Sequence, residues 1–346
     1  MKKRGVLIGC GFFSENHLHA WAENDGAEIV AICDLDTNRL ATVGDMFGIE
    51  RRYTNAADMI KAEQPDFVDI ATTSASHRSL VELCAPSVGT VICQKPIAES
   101  LADARAMVNA CKTNGAHLII HENFRWQRAF MMMKAMIDEG SIGTPHFARF
   151  AFRHGYDNYA NQPYLAQIER FTIMDVGLHL FDLARHFMGE VERLACTTQR
   201  LNPIVRGEDA FTALLQHENG ATSVCDCSFY ARYSPEPFPN TAAVIEGDQG
   251  TLELGRDFKL TLHTKDGAQV LDTEPDVPAW GAKPWHAVQQ SVASFQEHVV
   301  DVMNGKADPQ PSGLNNLQTL KLALAAYEAA EHGVTINIPT WCEDQL

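Results

Sequence analysis

The first feature of this sequence that could take part in a reaction is a lysine at the end of an apolar run. Lys95 directly follows the apolar residues 90–94 and precedes Pro96. Because an ammonium group cannot sit in an apolar core, we expect the strand to end in a cleft. In that position Lys95 can donate to a substrate hydroxyl or carbonyl. We also expect a cis bond at Pro96. The alternative is a surface lysine after a strand.

A polar stripe in the predicted helix 172–188 is the second feature. Asp175, His179, Asp182 and His186 follow one another at steps of three or four residues, so their side chains stack. An imidazole serves as a base at neutral pH, and a carboxylate orients it or binds substrate. We therefore predict that Asp175 and His179 work together. The other interpretations are a polar helix flank and an incomplete metal site, and we predict no metal.

A glycine-rich turn predicts a dinucleotide site. Gly9 and Gly11 end the first strand and allow a pyrophosphate to approach the backbone at a helix N-terminus, which we expect Ser14 to cap. Asp34 closes the second strand, where a carboxylate binds ribose hydroxyls and repels a 2′-phosphate. We predict NAD, while Arg39 leaves NADP open. The alternative is that Asp34 only caps the next helix.

Further cofactor contacts are expected where the later strands end. Thr72 closes the strand 66–73, and ligands of open α/β sheets bind along that edge. His77 follows in the next turn, where an ordinary position in a first helical turn is an equal alternative. The predicted cofactor-binding residues are Gly9, Cys10, Gly11, Phe12, Phe13, Asp34, Thr72, Thr73, His77, Gln94, Lys95 and Asn123.

The elements that position these residues alternate between strands and helices up to residue 124. The strands are continuous apolar runs, which is typical of a parallel sheet covered on both faces. We therefore predict a doubly wound α/β domain of the Rossmann type, covering residues 1–124 and binding NAD.

The remaining residues, 125–346, predict a substrate-binding and oligomerisation domain. A Met-rich helix at 129–138 and the helix 172–188 precede short strands separated by turn glycines, with a hairpin at Asn219-Gly220. Helices at about 286–304 and 313–331 close the chain. The strands indicate a large, open, mainly antiparallel sheet. Its second face needs cover, so we expect a homodimer or homotetramer through it.

The composition limits the binding partners and the cellular compartment that we expect. The net charge of −16 argues against nucleic acid and anionic membrane surfaces. No apolar stretch has membrane-spanning length. The nine cysteines are scattered, and even Cys225 and Cys227 are interpreted as buried reduced thiols. Reduced thiols and the absence of a leader predict the cytoplasm.

The segments after residue 122 supply candidate substrate contacts. Asn123 is expected to reach the nicotinamide amide, and the polar, aromatic loop 153–171 leads into the His179 helix. Tyrosine and asparagine suit a neutral polyol, whereas arginines suit a sugar acid or form surface salt bridges. The predicted substrate residues are Arg125, Trp126, Arg153, Tyr156, Tyr164 and Arg170.

Taken together, these motifs resemble the Gfo/Idh/MocA family of oxidoreductases over nearly the whole chain. Residues 94–96 look like its Glu-Lys-Pro, and residues 175–179 look like its Asp-x-x-x-His. The sequence departs at Ser14 and at Gln94, which removes a charge beside Lys95 and puts the protonation of Lys95 in question. The resemblance implies that Lys95, Asp175 and His179 line a substrate pocket beside the nicotinamide. Finer matches imply a small or branched aldose oxidised at C1 to its lactone.

The predicted function is therefore that of an NAD-dependent sugar dehydrogenase with catalytic residues Lys95, Asp175 and His179. Whether Lys95 or His179 is the base stays open. Two alternatives also stay open. One is redox-assisted glycosidic cleavage, and the other is a nucleotide- or sugar-sensing protein that has lost catalysis.

Overall fold

The computed structural model describes residues 2–160 and 162–343, and the chain divides into two compact units. The first comprises Met1–Asn123 and Ser291–Leu320, and the second comprises Phe124–Gln290 and Lys321–Leu346. The division before Phe124 lies one residue from the boundary that the sequence predicts. The segment Ser291–Leu320 differs, because the sequence analysis assigns it to the second domain and it groups with the first unit.

The first unit contains a parallel sheet in the order β3-β2-β1-β4-β5-β6, which is the doubly wound order of dinucleotide-binding folds. Its strands are short and buried on both faces, as their continuous apolar runs predict. The predicted fold class is confirmed, although the two-residue strand β3 gave no sequence signal. The elements are β1 Lys3–Ile8, α1 Ser14–Glu23, β2 Ala27–Cys33, α2 Thr37–Phe47, β3 Arg52–Tyr53, α3 Ala56–Glu63, β4 Phe67–Ile70, α4 His77–Cys84, β5 Thr90–Gln94, α5 Leu101–Asn114 and β6 His117–His121.

The helix ends in this unit follow capping chemistry, with one correction. Gly48 and Gly115 terminate α2 and α5 in the left-handed conformation, with φ of 65° and 70°, as the sequence predicts. Ser14 does not cap α1. It is the first helical residue, it is fully buried, and its hydroxyl donates to the Gly11 carbonyl at 2.6 Å. Its small side chain thus ties the glycine turn to the helix.

The second unit is built around a larger sheet, and α8 and α9 contain the division points between the units. Strands β8 and β15 are not among the sequence predictions, although Gly189 and Gly333, both at positive φ, shortly precede them. The elements are α6 Arg128–Asp138, β7 Pro145–Arg153, α7 Leu178–Met188, β8 Val191–Gln199, β9 Ala210–His217, β10 Thr222–Ser228, β11 Ala242–Gly247, β12 Gly250–Leu254, β13 Lys259–Thr264, β14 Gly267–Asp272, α8 His286–Met303, α9 Gly313–His332 and β15 Ile336–Asn337.

Within the described residues, nine strands form this sheet in the order β14-β13-β12-β11-β7-β10-β9-β8-β15. Neighbours are antiparallel except for β7 and β10, which run parallel, so the prediction of a mainly antiparallel sheet is confirmed. The hairpin at Asn219-Gly220 joins β9 to β10, with Gly220 at φ 87°. Along β9, buried and exposed residues alternate, and Leu214 is 52% exposed on the open face.

The predicted helix 172–188 begins differently from expectation. Residues Ile173–Gly177 form a π turn before α7, and the amide of Leu178 donates to the carbonyl of Ile173, five residues earlier. A π turn inside an α-helix is rare and frequently lies at a functional site. The sequence pattern did not reveal it, because the apolar spacing fits an α-helix equally well. Across residues 2–160 and 162–343, no helix is long and apolar enough to cross a bilayer.

Candidate functional site

The glycine turn of the first unit has the shape that a pyrophosphate needs. Gly9 has a φ of +100°, and a Cβ there would lie 2.8 Å from the Ala71 carbonyl oxygen and from the Thr72 methyl. Only glycine fits that position. A Cβ on Gly11, in contrast, would meet no described atom within 4 Å. The backbone at Gly11 is therefore open to a ligand at the start of α1.

Asp34 connects the end of β2 to this turn. One carboxylate oxygen accepts the Cys10 amide at 2.6 Å, and the other accepts the Asp36 amide at 2.8 Å. Two amide contacts leave lone pairs on both oxygens for ribose hydroxyls. Arg39, the residue that left NADP open, forms an exposed ion pair with Asp36 at 3.7 Å. These residues fit NAD, with Asp34 at the ribose end.

The remaining residues of the turn differ in exposure. Cys10 is buried, and this burial, followed by the charges of Asp34 and Cys33, raises the pKa of its thiol to about 12. Phe12 is 57% exposed. Phe13 is half-buried and packs edge-on against His17 and His121. Cys10 therefore contributes its backbone to the turn rather than a reactive thiolate.

His77 is a correction to the predicted cofactor contacts. It is fully buried, Nδ1 lies 3.0 Å from the Pro96 carbonyl, and Nε2 lies 3.1 Å from the Thr72 carbonyl. Burial lowers the pKa of this imidazole. His77 thus joins the chain that follows β4 to the chain that follows β5, and both ring nitrogens face the backbone. Thr72 itself is half-buried, and Thr73 is exposed beside it.

Lys95 lies where β5 ends, at the same sheet edge as Gly9, Asp34 and Thr72. It is half-buried, and its peptide bond to Pro96 is cis, as expected. Its amide donates to Oε1 of Gln94 at 2.6 Å. The position after a buried strand and at the ligand-binding edge explains why a lysine is tolerated there.

Asn123 has a partner that the sequence did not indicate. Its side-chain nitrogen donates to Oγ of Ser291 at 2.7 Å, and the residue is only 3% exposed. The two residues are 168 positions apart in the chain. This contact holds the amide group in the interior of the first unit, and the expected role at the nicotinamide stays a prediction.

In the second unit, Asp175 and His179 lie on the π turn and on α7. The His179 ring stacks on Phe124 at 3.9 Å with an interplanar angle of 3°, and the residue is 4% exposed. Asp175 is half-buried, and its amide donates to the Phe171 carbonyl at 2.8 Å. The parallel stack fixes the plane of the imidazole and hence the directions in which its nitrogens point.

The charge of Asp175 affects the pKa values of two other residues. Burial lowers the pKa of His154 to about 3, and the Asp175 carboxylate opposes that shift. Partial burial and then the charge of Asp175 raise the pKa of the Tyr164 phenol to about 12, although Tyr164 is 58% exposed. His154 therefore stays neutral at physiological pH. The sequence analysis missed this residue, because a histidine after a strand carries no local signal of burial.

Glu208 is a second residue that sequence reasoning missed. Its carboxylate accepts the amides of Phe171 and Ile173 at 3.2 and 3.0 Å and the Tyr327 hydroxyl at 2.7 Å. A carboxylate at the start of a helix satisfies unpaired amides and favours the positive end of the helix dipole. Glu208 thus anchors the π turn that carries Asp175.

Arg125, predicted to meet substrate, is instead part of a buried ion pair. Its Nε and Nη2 donate to the two oxygens of Asp182 at 2.8 and 2.5 Å, and the two side chains are 6% and 0% exposed. The neighbouring Trp126 is half-buried. Burial, with a smaller effect of Arg125, lowers the pKa of His186 to about 4. The polar stripe is thus divided, because Asp182 binds Arg125 while Asp175 and His179 lie one turn earlier.

The other predicted substrate residues also have protein partners. Arg153 donates to Asp226 at 3.0 Å, and Arg149 forms a second ion pair with the same carboxylate. The Arg153 contact is the salt bridge that the sequence left open as an alternative to substrate binding. Arg170 lies over the ring of Tyr327 at 5.3 Å.

Tyr156 stacks on Phe238 at 4.5 Å, and the Tyr164 hydroxyl donates to Gln162. The loop therefore presents the Tyr164 ring and hydroxyl at its surface, together with the exposed Arg170.

The described residues show no metal centre and no disulfide. Within residues 2–160 and 162–343, no group of three His, Cys, Asp or Glu side chains is placed to hold a metal ion. Each of the nine cysteines has a free thiol, and eight are buried. Cys225 donates to the Leu180 carbonyl at 3.4 Å and so packs against α7.

Comparison with known proteins gives matches to both halves of the chain. Residues 3–122 match the oxidoreductase family with an NAD-binding Rossmann fold, and residues 130–253 match the GFO/IDH/MocA C-terminal domain. The D-apiose dehydrogenase of Paraburkholderia graminis is 50% identical over 97% of this chain and 89% of its own length. That of Rhizobium rhizogenes is 47% identical over 97% of both chains.

A crystal structure with the same architecture is known. It is an oxidoreductase from Agrobacterium radiobacter in complex with NAD⁺, L-tartaric acid and magnesium. The TM-score is 0.96, with 47% identity over 98% of this chain and 99% of that one. The fold described above is therefore shared along the full length of both proteins.

Proposed function

We propose that this chain, which belongs to the Gfo/Idh/MocA family of NAD-binding oxidoreductases, oxidises D-apiose at C1 to its lactone. The observation that carries the proposal is the identity of 50% and 47%, over 97% of the chain, to two D-apiose dehydrogenases. The exposed Tyr164 and the ion pairs that bind Arg125 and Arg153 to protein carboxylates favour a neutral sugar over a sugar acid.

The first unit supplies the cofactor site. Gly9 and Gly11 receive the pyrophosphate at the start of α1, and Asp34 binds the ribose hydroxyls and disfavours a 2′-phosphate. Bound NAD supplies the hydride acceptor. The protein has to position the sugar, polarise its oxygen and take up the hydroxyl proton.

Three residues are assigned to those tasks. His179 accepts the proton of the C1 hydroxyl, since a neutral imidazole nitrogen can act as a general base and the ring is held by Phe124. Lys95 donates to the same oxygen and relays the proton, and Asp175 binds a sugar hydroxyl or orients His179. In the remaining alternative, Lys95 is the base and His179 donates to the oxygen. Both alternatives require both side chains.

The test is turnover with a panel of sugars. Purified protein with NAD is mixed with D-apiose, D-ribose, myo-inositol or a sugar acid, and reduced nicotinamide is followed by absorbance. We expect the highest kcat/KM with D-apiose and one lactone formed for each NADH. NAD binding without turnover on any sugar would favour the sensing protein. Cleavage of a glycoside without net NADH would favour redox-assisted glycosidic cleavage.

The open sheet face is proposed to mediate a homodimer or homotetramer. Exposed apolar residues on it include Leu214 and, on the edge strand, Val270, which is 61% exposed, and such surfaces are commonly covered by a second copy. Light scattering should give two or four times the monomer mass. A monomer at micromolar concentration would contradict the assignment. The free thiols support a reducing compartment, and we propose the cytoplasm.

A further inference from the structure

A line of buried polar side chains leads from the first sheet to Lys95. Asp69 in β4 is fully buried, and its Oδ2 accepts Nε1 of Trp21 at 2.8 Å. The same oxygen lies 2.9 Å from Nδ1 of His17, which is also fully buried. Nε2 of His17 lies 3.4 Å from Nε2 of Gln94. Gln94 then accepts the Lys95 amide at 2.6 Å.

The donor and acceptor properties of these side chains determine the direction of each hydrogen bond in this line. A carboxylate only accepts, so His17 donates from Nδ1 to Asp69. Gln94 uses its oxygen for the Lys95 amide, so its nitrogen faces His17 and donates. His17 therefore accepts at Nε2, which makes it the neutral tautomer with its proton on Nδ1. With this assignment, each hydrogen bond between Asp69 and the Lys95 amide has one donor and one acceptor, and His17 is neutral.

The packing around His17 holds this arrangement. The His17 ring stacks on His121 at 4.1 Å, and Phe13 of the glycine turn packs edge-on against both rings. The His17 carbonyl accepts Nε2 of Gln296 from α8 at 3.0 Å. His121 is the register partner of Gln94 across β5 and β6. The line is thus in contact with both the predicted pyrophosphate turn and the strand that ends at Lys95.

We propose that Asp69, His17 and Gln94 are positioning residues that set the Lys95 backbone, and through it the Lys95 ammonium, for the reaction. The inference rests on the proposed function of Lys95. Hydrogen bonds between buried polar groups rigidify their surroundings and favour one geometry. Those to Asp69 here all use its Oδ2, while its buried Oδ1 has no partner among the described residues. Gln94 is central, because its amide is the group that both donates to His17 and accepts from Lys95.

Two substitutions of Gln94 separate positioning from packing. Gln94→Met keeps the approximate volume and removes both hydrogen bonds, so we expect kcat to fall by roughly 10²-fold, the loss typical of a misplacement of about 1 Å. Because Gln94 is also a predicted cofactor-binding residue, KM for NAD is measured beside kcat, and a rise in KM with kcat unchanged would contradict the positioning role. Gln94→Glu keeps the oxygen that accepts the Lys95 amide and should restore most of kcat. Thr90→Val is the matched control, because Thr90 is 2% exposed at the other end of β5 and should leave kcat unchanged.

Nitrogen-15 NMR of His17 tests the line directly and without turnover. We expect a proton on Nδ1 and none on Nε2 in the wild-type protein. In Gln94→Glu the new carboxylate only accepts, so His17 should gain a proton on Nε2. A wild-type proton on Nε2 would overturn the proposed direction of the line.

The inference and the proposed function fail in different ways. If the wild-type protein oxidises sugars and Gln94→Met does so equally fast, the positioning role is wrong while the function stands. If the wild-type protein oxidises no sugar, the proposed function is wrong and the kinetic role falls with it. The His17 signal then still decides whether the hydrogen-bond line exists.

Discussion

The two units hold their functional side chains in different ways. In the first unit, Gly9, Asp34 and Lys95 lie where parallel strands end, and the contacts at this edge include hydrogen bonds from backbone amides to the Asp34 and Gln94 side chains. In the second unit, Asp175 and His179 stand on one helix, and buried charges hold its surroundings. Glu208 binds the first turn, and Arg125 pairs with Asp182 one turn beyond His179.

The difference has a physical cause. A parallel sheet brings strand ends together through backbone pairing, so the position of its edge depends chiefly on backbone shape. A single helix leaves its first amides unpaired and has to be fixed by side chains from elsewhere. We therefore expect the second unit to respond most to the loss of a charge, and the first unit to respond most to a change in backbone shape.

The largest expected effect is on the buried ion pair of the second unit. Arg125→Met leaves the Asp182 carboxylate buried without its cation, which should cost about 3–5 kcal/mol of unfolding free energy. The control is Arg149→Met, since Arg149 is half-exposed and Asp226 keeps Arg153, so its cost should stay below about 1 kcal/mol. Urea denaturation followed by circular dichroism measures both. Equal losses would remove the distinction between buried and surface charges.

The next effect is on the backbone shape of the first unit. Gly9→Ala places a Cβ 2.8 Å from the Ala71 carbonyl at a φ of +100°, so the turn has to move. We expect NAD affinity to fall roughly 100-fold, or about 2.7 kcal/mol, by calorimetry. Gly48→Ala has a comparable positive φ, yet its Cβ would meet no described atom within 4 Å. It should strain the end of α2 and leave NAD affinity intact, and a matching loss of affinity would refute the prediction.

A third effect concerns the pH dependence of the second unit's stability. Burial lowers the pKa of His154 from 6.5 to about 3, so the unfolded chain binds a proton before the folded one as the pH falls. The His154 contribution is fully present above pH 6.5. Below that it is lost at about 1.4 kcal/mol per pH unit. His154→Phe should reduce this slope between pH 6.5 and 5.5 in urea unfolding. An unchanged slope would contradict the burial of a neutral imidazole.

The smallest effect concerns cofactor choice. Asp34→Ala removes the carboxylate that repels a 2′-phosphate, and the preference for NAD over NADP should fall about tenfold, or 1.4 kcal/mol. Asp36→Ala is the control, because Asp36 caps α2 and pairs with Arg39. It should shift stability more than preference. The ratio of kcat/KM for the two cofactors decides, and an unchanged ratio in Asp34→Ala would reject the role of that carboxylate.

The same contrast explains what the sequence could predict. The first unit was predictable because continuous apolar strands and the residues that end them are local features, as Gly9, Asp34 and Lys95 illustrate. The second unit depends on partners far apart in the chain. Arg125 and Asp182 are 57 residues apart, and either one alone looks like a surface or substrate-binding charge.

Other differences arise from short or ambiguous signals. The two residues of β3 are too few for a periodicity, and the π turn at 173–177 has the same apolar spacing as an α-helix. Asn123 and His77 are predicted cofactor contacts because they follow strands, and no sequence signal indicated that both would be buried against protein partners. Position at a strand end predicts the edge, but only burial distinguishes a ligand contact from a support.

The central claim is that the cofactor site belongs to the first unit while sugar oxidation needs Lys95 and His179 together. Its most direct test is NAD titration and D-apiose turnover of Lys95→Ala and His179→Ala beside the wild-type protein. The account predicts NAD binding as tight as in the wild type and turnover reduced by about 10³-fold or more in each variant. Wild-type turnover in both variants would contradict it.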